Sequence, residues 1–169
     1  PTLPVTGSSA VLITGFDNSF SALDASPNRI SGNAGKGIRI AQNRTGNRIV
    51  STVFQGNGGI AIDLESASDP ASGITPNDTN DADTGANGLQ NHPLVTLAER
   101  NPDGTGTIQG TLATNPVNGT AYVVELFHSP TAHPSGSGEG ATRLGSVNVN
   151  VNAAGVAGRA AQIGEGLGR

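Results

Sequence analysis

The residues best suited to chemistry stand close together in one loop. Between Asp63 and Asn91 the chain carries Asn77, Asp78, Asn80, Asp81, Asp83 and Asn87 among glycines, prolines and threonines. Hard oxygen ligands so near one another suit calcium, which takes about six to eight oxygens in flexible geometry. Close carboxylates repel unless a cation joins them, so a bound ion would order the loop. Asp78, Asp81 and Asp83 are therefore the candidate metal ligands. The spacing falls short of an EF-hand loop, because Gly85 stands where a third oxygen ligand belongs. Calcium is accordingly expected to bind weakly, with a Kd of about 10⁻⁴ to 10⁻³ M. Without the ion the stretch reads as a solvated acidic linker, since no Lys or Arg accompanies Asp63, Glu65, Asp69, Asp78, Asp81 and Asp83 within it.

Enzyme chemistry finds less support. A glycosidase needs two carboxylates about 5 to 10 Å apart, one of them protonated. Asp63 and Glu65 would share a face if their strand continued, but they follow Ile60 and Ile62 directly and read as a solvated strand end. His128 and His133 flank Ser129-Pro130 in a flexible arm, without zinc spacing or cysteine support. No serine or threonine sits in a nucleophile elbow, and Gly32, Gly35 and Gly37 lead into no helix, which excludes a dinucleotide fingerprint. No catalytic residue is assigned, and no cofactor other than calcium is indicated.

The formal charge of −4 leaves no basic stripe to meet phosphates, so nucleic acid is not an expected partner. Arg29 and Arg48 are expected at equivalent outward positions. Cysteine is absent, which removes disulfides and thiolate metal sites but does not exclude secretion. No segment approaches the length of apolar chain that spans a membrane. The sequence begins Pro1-Thr2-Leu3, and the expectation is a piece of a longer chain.

The elements that would position the loop are strands. Apolar residues alternate at Ile38/Ile40, Ile60/Ile62 and Val147/Val149/Val151, a period of two rich in β-branched residues. One phrase occurs twice: Asn28-Arg29-Ile30 leads to Gly37-Ile38-Arg39-Ile40, and Asn47-Arg48-Ile49 leads to Gly59-Ile60-Ala61-Ile62, with offsets of 19 and 22 residues. Short strands at a period near twenty, punctuated by Gly and Asn, predict stacked turns of chain that bury one another's apolar side chains. Val11-Leu12-Ile13 supplies an earlier strand, giving about three coils, and Asn28 and Asn47 would stack as a ladder. After His92, runs at Thr107–Leu112, Ala121–Phe127 and Leu144–Val151 predict antiparallel strands, with turns at Asn115-Pro116 and Asn118-Gly119.

These motifs, with Thr75-Pro76-Asn77-Asp78, Leu89-Gln90-Asn91-His92-Pro93, Gly110-Thr111-Leu112 and Val124-Glu125-Leu126-Phe127, resemble large bacterial secreted or surface proteins. In those proteins CSLREA-associated, pectate-lyase-like right-handed β-helix repeats run into an Ig-like β-sandwich. The resemblance covers roughly residues 11–155. The expected fold is all-β: a right-handed parallel β-helix of about three coils over 1–64, an acidic Asn/Asp/Gly-rich loop or linker over 65–91, a partial antiparallel Ig-like β-sandwich over 92–157, and an atypical tail over 158–169 with neither period. Its open strand edges are expected to give self-association or local disorder. The resemblance implies a secreted or cell-surface, non-enzymatic, adhesin-like role, with an extracellular glycan or surface protein as partner. The alternative is a fragment of a polysaccharide lyase or hydrolase whose catalytic coils lie elsewhere.

Overall fold

The computed structural model describes residues 8–23, 25–68, 73–115, 119–152 and 154–163. The chain divides into two compact units: residues 1–75, 83–89 and 127–143 form the first, and residues 76–82, 90–126 and 144–169 the second. Strands dominate. The helical turns among the described residues are the 3₁₀ segments Thr79–Asp81 and Ala86–Leu89, so the all-β expectation holds. No helix among these residues is long and apolar enough to cross a membrane.

In the first unit seven short strands pair in parallel. β1 (Ser9–Ile13), β4 (Lys36–Ile40) and β7 (Ile62–Leu64) form one sheet in that order. β2 (Ser19–Ser21) pairs with β5 (Arg48–Val50), and β3 (Asn28–Ser31) pairs with β6 (Thr52–Gln55). Alternation in β4 places Ile38 and Ile40 in the interior, where they meet Ile13, Ile30 and Phe54. The strand passes so near its neighbours that a Cβ on Gly37 would lie 2.5 Å from the Ala61 carbonyl oxygen and 2.6 Å from the Phe54 ring. Gly37→Ala is thus an overpacking change at a backbone that cannot retreat. It should cost about 1–3 kcal/mol of stability, read as a lower denaturant midpoint at unchanged m-value.

The expected right-handed β-helix of about three coils, and the resemblance that implied it, are corrected by this pairing. The parallel sheets hold three, two and two strands, and no extended solenoid is formed among the described residues. The repeated phrase is also not in register with itself. Asn28 lies opposite Thr52 and Arg29 opposite Val53, whereas Arg48 lies opposite Ser19, so Arg29 and Arg48 are not equivalent. Ile38 faces Ile62 rather than Ile60. Paired positions are separated by 24 residues at Asn28/Thr52 and by 29 at Asn18/Asn47. These separations differ from the 19 and 22 residues of the repeated phrase, so the phrase does not mark which strands pair.

In the second unit, β8 (Leu94–Arg100), β9 (Gly106–Ala113) and β12 (Val156–Ile163) form an antiparallel sheet with β9 in the middle. β10 (Ala121–His128) pairs with β11 (Thr142–Asn150) in a sheet of two. The three runs predicted after His92 fall on β9, β10 and β11. Of the turns expected there, Pro116 and Asn118 lie outside the described residues. The partial Ig-like sandwich implied by the resemblance is corrected as well: among the described residues the antiparallel strands form only small sheets of three and two. β12 arises where the sequence shows neither period. Its backbone pairs with β9 from Val156↔Ala113 to Ile163↔Gly106, and a ladder of main-chain hydrogen bonds needs no side-chain alternation. Leu112, Val149 and Val151 are buried here, with Tyr122, Val124 and Val147 packed against them. At the β8–β9 connection, the Asp103 carboxylate accepts the Thr105 hydroxyl at 2.7 Å and its N–H at 3.0 Å, and these bonds hold its pKa below the ordinary carboxylate value.

Candidate functional site

The acidic loop is built from turns that asparagine and aspartate tolerate. Asn80 (φ 64°) and Asp81 (φ 53°) both take the left-handed conformation. Both Asp78 carboxylate oxygens accept the Ala82 N–H, at 3.0 and 3.3 Å. Asn91, buried, mimics a strand partner: its Oδ1 accepts the Asp78 N–H at 2.9 Å and its Nδ2 donates to the Asp78 carbonyl at 2.9 Å. Asp81 Oδ1 accepts the Asn91 N–H at 2.6 Å, and Oδ2 accepts the buried Thr114 hydroxyl at 3.0 Å. Thr114 has one hydroxyl proton and gives it to Asp81, so the Tyr122 hydroxyl donates to Thr114 at 3.1 Å.

Of the three predicted ligands, Asp78 and Asp81 belong to the second unit and Asp83 to the first. Two of the neighbouring asparagines are committed elsewhere. Asn77 exchanges two hydrogen bonds with the His92 backbone, and Asn87 exchanges two with Asn47, its Oδ1 accepting at 3.0 Å and its Nδ2 donating at 2.6 Å. An amide committed at both ends to main chain is a clamp rather than a spare ligand.

Asp63 and Glu65 differ from their sequence reading. Asp63 is fully buried, and its Oδ2 lies 2.7 Å from Lys36 Nζ. Glu65 Oε1 is 3.5 Å from Arg39, while its Oε2 accepts the Gln42 N–H at 3.0 Å. The expected solvated strand end is therefore an ion-paired edge, and the basic partners come from β4, outside the acidic stretch. Each carboxylate serves a cation of the adjoining strand, an arrangement suited to holding strands rather than shuttling protons.

Asparagine ladders do form in the first unit, but between other residues than Asn28 and Asn47. Asn18 Nδ2 donates to Asn47 Oδ1 at 2.8 Å, and Asn33 Nδ2 donates to Asn57 Oδ1 at 2.9 Å. Asn57, buried, also donates to the Ile30 carbonyl at 3.1 Å. The second ladder ends on a charge: Glu139 Oε1 accepts from the N–H and Nδ2 of Asn57, both at 2.9 Å, and Oε2 accepts from the Gly56 N–H at 2.6 Å. Asn87 ends the first.

Glu139 belongs to the Gly/Ser/Pro-rich arm that the sequence presents as flexible. Here the arm is tied to β6 and the turn after it. The Phe54 N–H donates to the Gly140 carbonyl at 3.1 Å, and His133 Nε2 lies 3.3 Å from the Asn57 carbonyl. His133 Nδ1 accepts the Ser135 N–H at 3.2 Å, which places the ring proton on Nε2. Beneath the arm lies a half-open cavity of about 430 Å³, with Phe54–Gly58 on one side and Ser129–Pro134, Glu139 and Ala141 on the other. Sequence reading missed it. The one available signal is a lone carboxylate, Glu139, in an arm otherwise of small residues, and its partners stand 82 and 83 residues away. No family model, no curated protein and no solved structure matches this chain.

Proposed function

We propose that this chain is a non-enzymatic structural and binding segment of a secreted or cell-surface protein. One observation carries the reading: the polar groups that could act on a substrate are spent on the fold. Asp63 and Glu65 face Lys36 and Arg39, Asp81 clamps Asn91 and Thr114, and Glu139 closes the Asn33–Asn57 ladder. Side chains so committed are rigid and poor at the changes of bonding that catalysis requires, but they hold a surface in fixed shape. Incubation with neutral and acidic polysaccharides followed by a reducing-end assay tests the reading. No release of ends is expected, and release abolished by Asp63→Asn or Glu139→Gln would replace it with a hydrolase. Export is tested separately, by protease shaving of intact cells that express the native gene.

Calcium forms part of the same proposal and rests on the closeness of Asp78, Asp81 and Asp83 in the chain. Bound calcium would relieve the repulsion among the three carboxylates while Asp78 and Asp81 keep their N–H partners, since a carboxylate offers about four acceptor positions. Titration with millimolar calcium is expected to give heat and a higher Tm in the parent, and neither in Asp81→Ala/Asp83→Ala. No heat and no Tm change in the parent would leave the loop as hydrogen-bonded turns alone.

A further inference from the structure

We infer that the cavity under the 129–141 arm binds a neutral sugar, a ligand class that rests on the non-enzymatic reading above and makes it specific. The argument is an account of donors and acceptors. Glu139 Oε1 already accepts two hydrogen bonds and Oε2 one, so with about two acceptor positions per oxygen Oε2 keeps one. Ser129 Oγ accepts the Gly140 N–H at 3.0 Å, which leaves its proton for a ligand. Thr131 is exposed and its hydroxyl can both donate and accept, and the Gln55 amide, which accepts from Arg29 through Oε1, still has its Nε2 protons. Acceptor, donor and mixed groups therefore converge on one cavity. Vicinal sugar hydroxyls, each a donor and an acceptor, match that set, and the rings of Pro130 and Pro134 offer apolar surface to the C–H face of a pyranose.

Charge narrows the class. Among the residues lining the cavity Glu139 is the one carboxylate and none is Lys or Arg. A uronate or phosphate would bring its charge toward Glu139, with no Lys or Arg in the lining to answer it. A single carboxylate also lacks the second one that glycoside hydrolysis needs, so the sugar is held and not cut. The volume of about 430 Å³ falls at the small end of ligand sites, room for one or two rings.

The test is an amide-resolved NMR titration of the full chain with cellobiose, chitobiose and digalacturonate, with reducing ends measured in the same samples. The two neutral disaccharides cover different exocyclic groups, and at least one is expected to move the amides of Gly56–Gly58, Ser129–Ala132 and Glu139 at millimolar concentration. Digalacturonate should bind at least about tenfold more weakly, and Ser129→Ala and Thr131→Ala should each weaken the neutral sugar about three- to tenfold, the value of one hydrogen bond. Thr131 has no hydrogen-bond partner among the described residues that its loss would disturb, so it separates recognition from folding. Absence of shifts with both neutral sugars, shifts confined to other surfaces, or parental affinity in Thr131→Ala would overturn the sugar site while leaving the non-enzymatic reading intact. Release of reducing ends would overturn that reading, whatever binds.

Discussion

Asn57→Asp should destabilise the first unit by about 3 kcal/mol or more, one of the two largest effects expected from a single change in this protein. The substitution preserves shape and replaces one NH₂ by an oxygen. In the native chain that NH₂ donates to the Ile30 carbonyl at 3.1 Å and to Glu139 Oε1 at 2.9 Å. The new oxygen would face two acceptors, one of them charged, in a place where the side chain is buried. The Asn33 bonds to Oδ1 survive, so the effect isolates the lost donor and the added charge. Native-state hydrogen exchange at Gly56, whose N–H is held by Glu139 Oε2, reads the release of the arm, and exchange at Ile38, bonded to the Ala61 carbonyl, reads opening of the unit. Both should accelerate. Adding Glu139→Gln removes the like charge, and the double variant is expected to be more stable than the sum of the singles, a coupling measurable in a mutant cycle. Equal exchange in parent and Asn57→Asp would mean that the ladder contributes nothing.

What could be read in the sequence follows from which interactions are local. The alternation that buries Ile38 and Ile40 is a property of five consecutive residues and was legible. The register was not, because it depends on the lengths of distant connections. The similarity of the two Asn-Arg-Ile phrases suggested that Asn28 stacks on Asn47, yet Asn28 meets Thr52 and Asn47 meets Asn18 and Asn87. Each phrase records a local strand preference, and like strands recur without being neighbours. β12 was illegible for the opposite reason: its Gly- and Ala-rich sequence carries no pattern, and its pairing with β9 is a main-chain property. The hydrogen-bonded turn at Asp78 was legible in kind, because Asp78 and Ala82 are four residues apart and aspartate favours such turns. Glu139 was not, since a residue's role as the end of a ladder depends on partners more than eighty positions away.

Removing Lys36 should cost more than removing the charge of Asp63, and this asymmetry tests how the buried pair holds β4 to β7. Lys36 Nζ and Asp63 Oδ2 are 2.7 Å apart, with the carboxylate side chain fully buried and the lysine side chain 16% exposed. The Gly73 turn closes over both: a Cβ there would lie 3.0 Å from Asp63 Oδ1 and 3.0 Å from Lys36 Cε. In Lys36→Met the carboxylate loses its cation where water does not reach, and the expected loss is about 3–5 kcal/mol. In Asp63→Asn the ammonium can swing its long stem toward solvent, and the amide still offers an oxygen to it, so about 1–2 kcal/mol is expected. Combining Lys36→Met with Asp63→Leu should recover most of the loss, because a matched apolar pair has no charge to desolvate. The order of the three guanidinium midpoints, followed by exchange at Ile38 so that the first unit alone is reported, decides the matter. Equal losses in the two single variants would show that the carboxylate is rehydrated when the lysine is gone, and that closure by the Gly73 turn does not last in solution.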